Sequence, residues 1–268
     1  MTSRAAATTE SFDVREYART ARGSHRAEID AEAIARAGLT GEAVRLIRVL
    51  RDVERGTLDR MRNLLVTATH KDARVTAFLA TWAFEKYWVA DALDAVLDAV
   101  GADTSPLTGP VRRTAAERAE RRGPIRRALA GNIAGADVVA GHVTTGLVDE
   151  LITQVAYRRL GEAAAALSSL VATLVAVKDR HVAFLAEEAE RKLAASARAA
   201  RLARREIARA AWPIGAASIP AADRSFFEAF VFGEPDGRAA AAAIGERLAA
   251  LPGMGAASGA TVTARLVP

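Results

Sequence analysis

The fold class that the sequence predicts is all-α, and three observations predict it. Apolar residues make up 51% of the chain and aromatics only 5%, with alanine dominant. Closely packed helices suit that composition better than strands, which draw on β-branched and aromatic residues. Apolar positions also recur at spacings of three and four over long stretches. Finally, four such stretches fall into two pairs with a tight turn inside each pair, and a connection of about 35 residues separates the pairs, as in a four-helix bundle with one long crossover.

Taken in order, residues 1–40 are polar and Ala/Arg-rich, with Gly23 and Gly38. They read as a mobile or peripheral lead-in with one or two short helical turns. The first long helix is expected over 41–69, where Val44, Ile47, Leu50, Val53, Leu58, Met61 and Leu64 keep helical spacing. His70, Lys71 and Asp72 form the turn, with Asp72 as the N-cap of the second helix, 73–100. That helix carries Val75, Phe78, Leu79, Trp82, Trp88, Leu93, Val96 and Leu97, so dense an apolar set that it should be central and buried nearly all round. Pro106, Gly109 and Pro110 break the pattern. An outer connecting helix then runs to Ala130, interrupted at Gly123-Pro124. The third helix is expected over 137–161, and the fourth from Ser168 as far as Ala211, before Trp212-Pro213 stops it. Two short helices follow, near 226–232 and 238–251, and then a Gly-rich, loosely determined tail. The domain reading is a lead-in (1–40), a helical bundle (41–219) and short C-terminal helices with the tail (220–268).

Composition removes several chemistries. The chain has no cysteine, which excludes disulfides, thiolate metal sites and cysteine nucleophiles. Residues 1–10 show no signal-peptide core, and no apolar stretch is long enough to span a membrane. A cytoplasmic protein with no membrane partner is expected. The net charge of +5 is carried by arginine, since the only lysines are Lys71, Lys86, Lys178 and Lys192. Arginines cluster between Arg112 and Arg127, but Glu117 and Glu120 interleave and no aromatic stands ready to stack a base. A solvated helix face accounts for that segment, and nucleic acid is not favoured as a partner.

Several stretches resemble a bacterial family of ferritin-like dimetal carboxylate proteins. They are Arg51-Asp52-Val53-Glu54, the run from Thr81 through Glu85-Lys86-Tyr87-Trp88 to Val89, His142 through Glu150 to Tyr157, Lys178-Asp179-Arg180-His181, and Trp212-Pro213-Ile214-Gly215. The resemblance covers roughly residues 42–220. It implies a ferritin-like four-helix bundle with a long crossover and extra C-terminal helices. Such proteins hold two metals with one glutamate from each of two helices and a Glu-x-x-His pair from each of the other two. Glu54, Glu150 and His181 match three of those positions. Lys86 and Lys178 stand where the glutamates of the two Glu-x-x-His pairs belong, and Val89 replaces one histidine. Reading Glu85 as the ligand puts Trp88 in the histidine position and restores no site. The resemblance therefore implies a degenerate centre without cofactor or metal, in which Lys86 and Lys178 pair with Glu54 and Glu150. An unpaired buried charge would be very costly, so paired replacement is the physical route by which the ions are lost.

Three uses of such a centre are open. A desolvated Lys86 or Lys178 could act as general base or Schiff-base nucleophile, metal-independently, with Glu54, Glu150 and His181 as proton partners. Tyr87, Trp88, Tyr157 and His142 would then line a small-molecule site. Alternatively the centre is a structural plug in a pseudoenzyme that works through partners, a homodimer among them. A third reading is an oxidase or oxygenase with an atypical single metal held by Glu150 and His181. RNA modification, known for this fold class, would need both the metals and a basic groove. Asp149 and Asp179 should point sideways, into solvated roles or contacts with arginine.

Overall fold

The computed structural model of the chain describes residues 11–108, 135–215 and 219–268. The arginine cluster, the connecting helix to Ala130 and the Gly123-Pro124 interruption lie outside the described residues. Among the described residues the regular structure is entirely helical. None of these helices is long and apolar enough to cross a membrane.

Within the lead-in, residues 11–40 carry two short helices. Asp13 caps α1 (Val14–Arg19) by accepting from the main-chain N–H groups of Arg15 and Glu16. Asp30 caps α2 (Ala31–Ala37) in the same way. Both short helices pack on the second long helix, and Tyr17 enters the core at 3% exposure. A turn of helix this short is not stable alone, so side-chain burial holds it in place.

The first long helix is broken in two. α3 (Gly41–Arg55) ends at Gly56, and α4 (Thr57–Leu65) resumes with Gly56 as its first cap. A 3₁₀ turn, Ala68–Lys71, leads to α5 (Ala73–Ala99). Asp72 caps α5 as expected, accepting from the Val75 N–H. After the crossover come α6 (Val138–Ala163) and α7 (Ser168–Ala195). The fourth helix does not run on to Ala211. Ser196 adopts extended backbone and its hydroxyl caps a new helix, α8 (Ala197–Arg209), by accepting from Arg198 and Ala199.

Helices α3 and α5 pack on each other, α6 packs along α7 and α8, and α3 meets α6 while α5 meets α7. Each of α3, α5, α6 and α7 thereby turns one face toward a shared interior. Arg51 ties down the start of the crossover from a fully buried position. Its guanidinium bonds Asp52 at 2.8 Å, the Thr104 carbonyl at 2.7 Å and the Ser105 carbonyl at 3.0 Å. The other Asp52 oxygen accepts from the Leu107 N–H at 2.7 Å.

The C-terminal region comprises α9 (Ala221–Phe232), α10 (Pro235–Ala250) and α11 (Gly255–Leu266). The last of these corrects the expectation of a loose tail. Its glycines serve close packing, since a Cβ on Gly259 would sit 2.3 Å from the Gly245 carbonyl oxygen. Only glycine lets α10 and α11 touch backbone to backbone.

Candidate functional site

One residue from the inward face of each long helix brings the four singled-out charges together. Glu54 comes from α3, Lys86 from α5, Glu150 from α6 and Lys178 from α7, and none is more than 1% exposed. They form a ring of alternating sign. Lys178 Nζ lies 2.6 Å from Glu54 Oε1 and 3.0 Å from Glu150 Oε2. Lys86 Nζ lies 3.0 Å from Glu54 Oε2 and 3.0 Å from Glu150 Oε1. Each carboxylate therefore bridges both ammonium groups with its two oxygens. Two of the four contacts have hydrogen-bond geometry, Lys178 to Glu54 and Lys86 to Glu150. The other two are charge contacts only, and Glu54 Oε2 has no hydrogen-bond partner.

Aromatic side chains close the ring. Trp82 Nε1–H donates to Glu150 Oε1 at 2.7 Å, and the Tyr157 hydroxyl donates to Glu54 Oε1 at 3.1 Å. The remaining face of each ammonium looks at a π cloud: Lys86 lies 4.9 Å from the Trp82 ring centroid and Lys178 lies 5.5 Å from that of Tyr157. The formal charge of the ring is zero, which is how four charges persist in an apolar interior.

The electrostatics follow from this geometry. Burial alone would raise both carboxyls, but the Lys178 and Lys86 charges overcome it, holding Glu54 below and Glu150 well below the usual range. Burial alone would lower the Lys86 ammonium, yet Glu150 and Glu54 hold it above its ordinary value. Burial and then the Glu54 charge push the Tyr157 hydroxyl well up, so it stays a donor.

A second acidic centre adjoins the ring. Glu85, fully buried, accepts from the Tyr17 hydroxyl at 2.7 Å, from His181 Nε2 at 2.9 Å and from the Arg22 N–H at 2.7 Å. His181 Nδ1 lies 3.4 Å from Glu150 Oε2, so this histidine connects the two centres. Burial would raise the Glu85 carboxyl, but the His181 contact, the Arg22 N–H and Tyr17 hold it low. An ionised carboxylate only accepts, which assigns the Nε2 proton to His181.

The site residues read from the sequence thus divide. Lys86, Lys178, Glu54, Glu150, His181 and Tyr157 meet at the centre. Tyr87 does not line an interior site: it is 55% exposed, and Trp88 is only half-buried beside it. The second helix is therefore not buried all round, because the outward face of α5 has nothing among the described residues packed over it that hides Phe84 or Tyr87. His142 points to Thr69, with Nδ1 2.7 Å from its hydroxyl. It borders a cavity of about 10 Å³ that also touches Trp82, Phe78 and Leu185, room for about one water. Asp149 does turn sideways, to Arg60 at 2.7 Å and to the Ile214 N–H at 2.7 Å. Asp179 accepts from the Gln154 side chain at 2.5 Å. The sequence reasoning missed Glu85 as a buried acid and Trp82 as a donor. A lone acid within the apolar run from Thr81 to Val89 was the signal for Glu85. Tyr17 carried no signal.

The donor set does not fit a dimetal cluster. Lysine ammonium nitrogens hold no lone pair for a metal, and both bridging carboxylates are already engaged by them. Among the described residues no group of three or more His, Cys, Asp or Glu side chains is placed to hold a metal ion. No family model matches the chain, nor does any curated protein or solved structure.

Proposed function

We propose that the chain is a ferritin-like four-helix bundle with a long crossover in which an ammonium–carboxylate ring has replaced the dimetal centre, and that it acts by binding partners without chemistry at that centre. The observation that carries this reading is the bridging of two cations by each of two carboxylates, Glu54 and Glu150. That is the task bridging carboxylates perform between two metals, here done for two lysines. Charge neutrality and burial make the ring a structural core element. Catalysis by either lysine would need a free amine and access for a carbonyl compound. Lys86 is held in its charged form, and both ammonium groups are sealed under Trp82 and Tyr157. A single-metal site at Glu150 and His181 is likewise disfavoured by the ammonium of Lys178 3.0 Å from Glu150 Oε2.

Reductive trapping tests this reading. The folded protein is incubated with small aldehydes and cyanoborohydride, digested, and mapped by mass spectrometry. The reading predicts adducts on exposed Lys71 and none on Lys86 or Lys178. Adducts on either buried lysine of the folded chain would establish an open, nucleophilic amine and overturn it.

A further inference from the structure

We propose that the outward arginine face of α8 is a docking strip for the phosphate backbone of duplex nucleic acid. The inference uses outer-surface residues alone, so it stands or falls separately from the buried ring.

α8 has two unlike sides. Ala199, Ala200, Ala203 and Ile207 are buried, and the helix packs against α6 and α11. At 3.6 residues per turn, Arg201, Arg205 and Arg209 fall within an arc of about 80° on the opposite side. All three are exposed, and none of their side chains has a hydrogen-bond or ion-pair partner among the described residues. Elsewhere on the surface arginines meet acids, as Arg26 meets Asp91 at 2.8 Å and Arg45 meets Asp223 at 2.7 Å. Arg198 shares the α8 face but is turned to Asp137 at 3.8 Å. Glu206, the only acid of α8, lies about 60° round from Arg209 and pairs with none of the three.

Charge complementarity selects the occupant. The row rises about 6 Å per step and about 12 Å from Arg201 to Arg209, a length that spans about three or four phosphates of one strand. A planar guanidinium grips a phosphate through two parallel N–H groups. Acids interleave the arginines between 112 and 127, but no acid stands within this row. No aromatic side chain stands on α8 to stack an unpaired base, so the fit is to a duplex backbone and not to a single strand. A membrane would need apolar side chains to insert, and those of α8 face the interior. A protein partner would need an apolar centre, which the row lacks. The carbonyls at the C-terminal end of α8 would repel an anion beside Arg209. Arg265 donates to those of Ile207 at 3.4 Å and Ala210 at 2.9 Å, which offsets them. Arg265 and Arg224 then line a hollow of about 300 Å³ that starts at Ala210 and holds one acid, Glu228. The positive strip thus continues past the end of the helix.

Fluorescence anisotropy of a labelled duplex of about 20 base pairs, titrated with the full chain at about 25 to 200 mM salt, tests this. Binding with Kd between about 1 and 100 µM is expected at the lowest salt, equal for two unrelated sequences, with log K falling against log salt at a slope of about −3. R201Q, R205Q and R209Q should each make that slope shallower by about 1. The triple variant should bind at least about 30-fold more weakly, with circular dichroism and Tm preserved because the side chains are exposed. R15Q/R36Q/R247Q removes the same charge from other exposed positions and should bind within about threefold of wild type. No binding at about 100 µM chain in the lowest salt, a row variant no weaker than the control triple, or tighter binding to polyglutamate or phosphatidylserine vesicles than to duplex would overturn the proposal.

Discussion

Replacing Lys178 by methionine removes one corner of the ring while keeping its length and its packing against Tyr157. Glu54 loses its shortest contact, 2.6 Å, and Glu150 loses one at 3.0 Å. Two buried carboxylates then face one ammonium, leaving a net negative charge with no route to water. Removing one partner of a buried ion pair costs about 3–5 kcal/mol. For a chain of this size each kcal/mol moves Tm by about 2–4 °C, so K178M should melt roughly 6–20 °C lower. The second substitution, E54Q, returns the ring to neutrality, with Glu150 and Lys86 still paired at 3.0 Å. E54Q/K178M should therefore recover at least half of the loss. Denaturant unfolding of wild type, both single variants and the double variant closes the cycle. Losses in the two singles that simply add, or a K178M loss under about 1 kcal/mol, would refute the idea that these charges are balanced against each other.

Other outcomes follow from the same contacts. Glu54 and Glu150 have carboxyls held below their ordinary range, so their stabilisation is present above that range and is lost as pH falls through the lowered values. The Lys86 ammonium is held above its ordinary value, so its stabilisation is full below about pH 10.4 and is lost only as pH rises beyond that. Tm should be level from about pH 7 to 9, decline modestly below about pH 6.5 as buried His25, held below its ordinary value by desolvation, is forced to take a proton, and fall steeply only in acid below about pH 4 and in strong base; a fall between about pH 7 and 9 would contradict this. Trp82→Phe removes the 2.7 Å bond to Glu150 and Tyr157→Phe the 3.1 Å bond to Glu54, each expected to cost about 1.5–3 kcal/mol by denaturant unfolding because the acceptor is charged. Tyr17→Phe breaks the 2.7 Å bond that pins α1 to Glu85; trypsin should then cut faster at Arg19 and Arg22, and an unchanged cleavage rate would show that α1 is held some other way.

The long helices were legible because they depend on local periodicity. The charged ring was legible only through the resemblance, which implies the places of Glu54, Glu150, Lys86 and Lys178; periodicity adds that residues three and four apart share a helix face. Asp72 was legible as a cap because N-capping needs only a short polar side chain beside a helical run. What periodicity does not carry was misread. The Gly56 and Ser196 interruptions keep the apolar spacing almost unbroken, so one helix was expected where there are two. The tail looked loose because glycine weakens an isolated helix, whereas Gly245 and Gly259 are there for the backbone contact of α10 with α11. Glu85 completes no Glu-x-x-His pair, so the resemblance gives it no role; its partners, Tyr17 and Arg22, come from a segment whose sequence gives no sign of docking. The density of apolar residues around Tyr87 and Trp88 predicts an interior place for them, and sequence alone does not say which side of α5 meets a neighbour.

Metal content tests the central claim most directly. The purified chain is analysed for iron, manganese and zinc as isolated, then again after anaerobic ferrous iron and desalting, with Tm recorded before and after a chelator. If the Glu54–Lys86–Glu150–Lys178 ring stands in the place of the ions, no stoichiometric metal is retained and Tm does not move. About two metal ions retained per chain, the load of an intact dimetal site, with a Tm that falls on chelation, would contradict it.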